Sequence, residues 1–196
     1  VKPKEASSMS GLLWLVLQLV LSLLSYFGWL RFLLQWAGAP TQNIFTRQMI
    51  QWYRPILKPF QWILGSYKNY NLSVLLFLII LNGIDTVVFM MLAYHAFPNI
   101  SGLLFLALIK MISQLCSIIF YGTIVYALMS WFPSLIQSPL GQCIIAIIDP
   151  IVGFFRRYIP VVGVFDFSPM ALMFTMIIIQ YLLAFVLNIA MTLALG

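Results

Sequence analysis

Acidic side chains are nearly absent from this sequence: its 196 residues include four Asp and Glu, one His and two Cys. That scarcity excludes most site chemistry at the outset. There is no paired-carboxylate site, no nucleophile with an evident base, no Gly-rich phosphate loop and no zinc pattern, so an enzyme is not expected. Cys116 and Cys143 lack metal-ligand spacing and read as small hydrophobes. The single histidine, His95, reads as an exposed interfacial residue. A haem held between helices normally takes two axial ligands, so no cofactor is expected either.

Long polar stretches are missing too. Charged residues make up 7% of the chain and hydrophobic ones 63%, with a mean hydropathy of +1.05. A soluble fold of this length cannot hide so much apolar surface, so its solvent must largely be lipid. Crossing a bilayer core takes roughly 20 apolar residues. Four runs qualify, at about 11–35, 72–97, 100–132 and 169–195. The first is longer than the h-region of a signal peptide and reads as an anchor.

Net charge is +6, and its placement carries the topology. Arg47, Arg54, Lys58 and Lys68 lie between the first and second runs, and Arg156 and Arg157 between the third and fourth. Only Lys2 and Lys4 precede the first run. The positive-inside rule places both basic segments in the cytoplasm and both termini in the periplasm. It also accounts for the basic residues without nucleic acid, which is not an expected partner.

The chain repeats itself. Tyr26, Trp36, Pro55, Ile56, Phe60 and Ser73 match Tyr121, Trp131, Pro150, Ile151, Phe155 and Ser168 at a constant offset of 95 positions. Within the first copy Arg47, Gln51, Arg54, Lys58 and Gln61 recur at helical spacing, opposite an apolar stripe of Phe45, Met49, Trp52, Ile56, Phe60 and Ile63. This is the signature of an amphipathic helix lying in the headgroup region. Pro55 and Pro59, like Pro150 and Pro160, are expected to kink or break it. The expected fold is an all-α membrane protein: four transmembrane helices in two parallel repeats, each helix, interfacial amphipathic segment, helix. The expected divisions are a tail at 1–10, a degenerate first repeat at 11–97 and a second repeat at 98–196.

The segments "ALMSWFP" (127–133), "DPIVGFFRRYIP" (149–160) and "GVFDFSP" (163–169) closely resemble the YggT family of small bacterial and plastid membrane proteins. The shared pattern runs through Trp131, Asp149, Pro150, the two arginines, Asp166, Ser168 and Pro169. The first half resembles a worn copy, with Trp36 and Pro55 kept. There the arginine pair is Gln61-Trp62, the Ile-Pro is Leu64-Gly65 and the aspartate is Asn71. Conversely, an arginine five residues before the tryptophan is kept as Arg31 but replaced by Tyr126 in the second copy. The resemblance implies a multi-pass protein of the bacterial cytoplasmic (inner) membrane. It also implies links to osmotic-shock tolerance and ion homeostasis, to division or membrane organisation, and in plastids to assembly of a b-type cytochrome.

Asp85 lies near the middle of the second run, and Lys110 lies within the third. Asp85 and Lys110 stand 12 or 13 residues on either side of the turn around 97–99. At 1.5 Å per residue both are roughly 18–20 Å along their helices, so an antiparallel hairpin brings them level. Asn82 and Gln114 are expected to form a second rung of this seam. Its simplest role is to lock the hairpin, since unpaired charges there would cost about 2.5–3.5 kcal/mol each. The expected function is that of an accessory or organising protein in osmotic-stress tolerance. Arg47, Arg54, Lys58, Arg156 and Arg157 would engage anionic lipid headgroups, a membrane-protein partner or a second copy of the chain. The alternatives are a small oligomeric ion channel or transporter, and an assembly factor for a membrane complex.

Overall fold

The computed structural model describes residues 4–64, 72–95, 97–159 and 166–195, without the side chains of 4–10, 63–64 and 193–195. Lys2, Gly65, Lys68, Asn71 and Pro160, named above, lie outside the described residues. The described residues contain helices and no strands: α1 (Lys4–Trp36), α2 (Ile44–Leu64), α3 (Leu72–Tyr94), α4 (Ile100–Met129), α5 (Pro133–Ile136), α6 (Pro139–Arg156) and α7 (Ser168–Leu195). Five stretches are long and apolar enough to cross a membrane by length and composition: Gly11–Trp36, Leu72–Tyr94, Ile100–Met129, Pro139–Arg156 and Ser168–Thr192. Such a set is that of a multi-pass membrane protein. The segment expected as a tail is already helical from Lys4 onward.

α1 packs along α3, α3 returns as α4 through a tight reversal, and α4 packs along α7. The reversal uses His95 in the left-handed region (φ 51°), followed by Asn99, whose side chain accepts from the Gly102 amide and so caps α4. α2 and α6 lie together at the other end. Asn43 Nδ2 donates to the Pro139 carbonyl at 2.8 Å, and the Thr46 hydroxyl meets the Cys143 thiol at 3.4 Å.

The 95-residue register recurs in the packing. Leu34 and Met129, Tyr53 and Ile148, Leu57 and Val152, Ser73 and Ser168, and Phe77 and Leu172 are buried as equivalent pairs. Lipid gives helices little hydrophobic reason to associate, so close backbone approach matters. A Cβ at Gly28 would meet Leu78 Cδ2 at 2.9 Å, and one at Gly122 would meet Ile148 Cδ1 at 3.0 Å. Gly28 thus lets α1 approach α3, and Gly122 lets α4 approach α6.

Of the kink or break expected at the prolines, the break does not occur at Pro55, Pro59 or Pro150, and the apolar stripe expected on α2 is shifted. α2 runs unbroken through Pro55 and Pro59, and α6 through Pro150. All three prolines face outward, where the carbonyl freed by the missing N–H is not stranded in the core. The buried face of α2 is also rotated from the expected stripe: it runs Thr46, Met49, Tyr53, Leu57, with Phe45, Ile56 and Phe60 flanking it. Trp52 (63% exposed) faces away from the protein. An indole belongs equally well among headgroups, so hydropathy alone could not tell the two faces apart.

Candidate interfacial and intramembrane sites

The ends of α4 and α6 and the start of α7 converge on Arg156. Its Nε donates to Asp166 Oδ2 at 2.7 Å, one terminal nitrogen to Asp149 Oδ1 at 3.1 Å and the other to the Tyr126 hydroxyl at 3.0 Å. Tyr126 in turn donates to Asp149 Oδ1 at 2.6 Å. Asp166 Oδ1 accepts from the Ser168 amide at 2.9 Å, opening α7 with Pro169 just inside it. A cavity of about 750 Å³ opens beside the network, lined by Tyr126, Ser130, Trp131, Ile136 and Pro169 among others. The structure therefore gathers Asp149, Arg156, Asp166, Ser168 and Pro169, and adds Tyr126. In the sequence alone, Tyr126 reads only as a departure from a family arginine. Its phenol holds Arg156 in position from a neighbouring helix.

Partial burial pushes the Asp166 carboxyl up, but the hydrogen bonds from Arg156 and the Ser168 amide outweigh this and hold it below the usual carboxylate range. A carboxyl with a depressed folded-state pKa stabilises above its unfolded pKa, and that contribution is lost as pH falls through the folded value. The thermal midpoint of purified protein should be flat above the ordinary aspartate pKa of about 3.9 and fall below it. In Asp166→Asn that acid limb should shrink.

Arg47, Arg54, Lys58 and Arg157 are exposed, and among the described residues none is within ion-pair distance of a carboxylate. Trp36 and Trp131, at equivalent helix ends, are 42% and 76% exposed, as expected of headgroup-level aromatics. In the first repeat the position matching Tyr126 is Arg31, which is buried. Beside it Tyr53 donates from its hydroxyl to the Leu24 carbonyl. Burial pushes the Tyr53 phenol up, against the opposing pull of the Arg31 cation.

The second cluster lies deep between α1, α3 and α4. Lys110 Nζ pairs with Asp85 Oδ2, and Asp85 is buried. The Ser22 hydroxyl approaches the same oxygen at 3.5 Å. Asn82 Nδ2 donates to Ser25 Oγ at 2.9 Å, and Ser25 Oγ donates to Gln114 Oε1 at 2.6 Å. Ser25 of α1 thus joins the two members of the second rung, and α1 is part of the seam. Two serines three residues apart within the apolar stretch 19–30 of α1 are the available signal, but serine in a membrane helix often satisfies only its own backbone.

The sequence model of the CCB3/YggT family matches residues 9–92 and again residues 105–189. The chain is similar to the uncharacterized protein YggT of Escherichia coli K12, 32% identical over 152 residues, which cover 77% of this chain and 78% of that one. An uncharacterized protein of Haemophilus influenzae is 28% identical over 151 residues, 77% and 80% of the two chains. An uncharacterized protein in the proC 3′ region of Vibrio alginolyticus is 29% identical over 144 residues, 73% and 77%. No solved structure matches. Two matches in register with two equivalent sets of buried residues leave one conclusion: this chain belongs to the CCB3/YggT family.

Proposed function

We propose that this protein is a non-enzymatic organising or accessory protein of the bacterial cytoplasmic membrane. Its α2 and α6 lie along the cytoplasmic face and engage anionic lipid headgroups, in the service of osmotic-stress tolerance. The observation that carries this reading is the junction of α2 with α6, which leaves Arg47, Arg54, Lys58 and Arg157 exposed without carboxylate partners among the described residues. Cations at a charged leaflet each contribute about 1 kcal/mol of attraction. On this reading α6, although long and apolar enough to cross, lies flat like its equivalent α2. The spans are then α1, α3, α4 and α7, with both termini periplasmic.

One observation favours a second reading as a small channel or transporter: the seam brings polar side chains from three helices to one depth. Against it, the Lys110–Asp85 pair neutralises the only charges there, leaving no row of carboxylates or carbonyls for an ion to follow. Reconstitution into liposomes under an osmotic gradient tests both. The expected result is no ion flux, with anionic lipid enriched around the chain and that enrichment reduced when Arg47, Arg54, Lys58 and Arg157 are all changed to Gln. Flux that disappears in Asp85→Asn would overturn the proposal.

A further inference from the structure

The two repeats each carry a cavity at the same place, but the charges beside the second are balanced and those beside the first are not. Five lining positions correspond at the offset of 95: Arg31 with Tyr126, Leu34 with Met129, Gln35 with Ser130, Thr41 with Ile136, and Ile50 with Ile145. In the second repeat the cation beside the cavity, Arg156, is consumed by Asp166, Asp149 and Tyr126. In the first repeat the cavity, about 590 Å³, is lined by Arg31 and contains no acidic residue. Arg31 is 7% exposed, and its Nε has no hydrogen-bond partner. Among the described residues all three aspartates are engaged elsewhere.

An arginine buried in this way without a counter-charge costs several kcal/mol, and a complementary anion removes most of that cost. We infer that the cavity beside Arg31 binds one anionic phosphate group, held by the guanidinium with Gln35 and Thr41 at its side. A planar guanidinium matches a phosphate through two parallel hydrogen bonds. The position points to a phospholipid headgroup as the source. Arg31 stands five residues before Trp36, roughly 7–8 Å along the helix axis from its end, which is headgroup depth in a spanning helix. The cavity is also amphiphilic: Leu34, Met49 and Ile50 line its other side and suit the glycerol and upper acyl region of a lipid. This site deepens the lipid-engaging function proposed above. It differs from the exposed cations in holding one molecule stoichiometrically instead of enriching many.

The test is native mass spectrometry of the full chain extracted in a neutral detergent from membranes containing phosphatidylglycerol. Wild-type protein should retain one phosphatidylglycerol per chain. Arg31→Gln should lower that occupancy at least about tenfold, the weakening that follows from losing a charge-assisted contact. Arg31→Lys should retain part of it. Ile50→Trp, which fills the cavity while leaving Arg31 intact, should lose it as Arg31→Gln does, so the test stands even if Arg31→Gln fails to fold. Neutralising Arg47, Arg54 and Lys58 should leave the single lipid bound, which separates failure of this site from failure of the surface reading. If the wild type retains no lipid but inorganic phosphate raises its thermal midpoint, and not that of Ile50→Trp, the anion site stands with a free phosphate as its source. Equal lipid retention by the wild type and Ile50→Trp, or no response to either lipid or phosphate, would overturn the inference.

Discussion

Reversing either charge of the seam, by Asp85→Lys or Lys110→Asp, should abolish accumulation of the protein in the membrane, and combining the two should restore it. Each single reversal places two like charges side by side where Asp85 and Lys110 now pair. Removing one partner of a buried pair costs about 3–5 kcal/mol, and a like-charge pair costs more. A domain of ordinary stability, about 5–15 kcal/mol, loses much or all of it. The double swap recreates the attraction with reversed polarity, but Ser22 then faces an ammonium where it now donates to a carboxylate. Full accumulation with a modestly lower thermal midpoint is therefore expected. If the swap accumulates no better than the single reversals, the pair is not what holds α3 to α4.

Substituting Gly141 should be nearly as damaging, through packing alone. A Cβ there would lie 1.9 Å from the Leu135 carbonyl oxygen and 2.7 Å from Met129 Cε. The methionine can move, but the backbone of α5 cannot do so without displacing the corner that starts α6. That corner is already fixed by Ser138, whose hydroxyl caps Gly141 N at 3.0 Å and donates to the Leu135 carbonyl at 2.6 Å. Overpacking typically costs about 1–3 kcal/mol, and contact with backbone places this case at the upper end. Gly141→Ala should lower the thermal midpoint sharply and lift α6 from α2, whose N-terminal ends meet through Asn43 and Thr46. Crosslinking between cysteines placed at those ends would report the separation. A midpoint within a degree or two of wild type would show that the corner relaxes freely.

The helices were legible in the sequence because each span is a long unbroken apolar run, and such runs have few alternatives in lipid. The repeat was legible because tryptophan, proline and serine anchors keep one spacing. Side chains whose role depends on a partner from elsewhere were not. Ser25 joins Asn82 to Gln114 only because α1 packs beside α3 and α4, which no local pattern encodes. Tyr126 reads as a lost arginine until Arg156 is found bonded to its hydroxyl. The outward prolines of α2 and α6 show a further limit. Proline predicts the loss of one hydrogen bond, but the helix ends only if the rest of the face cannot hold it. In α2, Met49, Tyr53 and Leu57 are all buried and hold that face in place. The α4–α5–α6 corner was hidden because its determinant, Gly141, looks like any other glycine until a carbonyl is seen against it.

In the function proposed above, the exposed cations of α2 and α6 select the lipid around this chain. The comparison that decides it is between wild-type protein and a variant with Arg47, Arg54, Lys58 and Arg157 all changed to Gln, each excised in polymer-bounded native discs. The phosphatidylglycerol content of each disc is then measured against that of the parent membrane. The wild type should be enriched in the anionic lipid, and the variant should match the membrane, since each lost cation removes about 1 kcal/mol of attraction at the leaflet. Equal enrichment around both proteins would contradict the account.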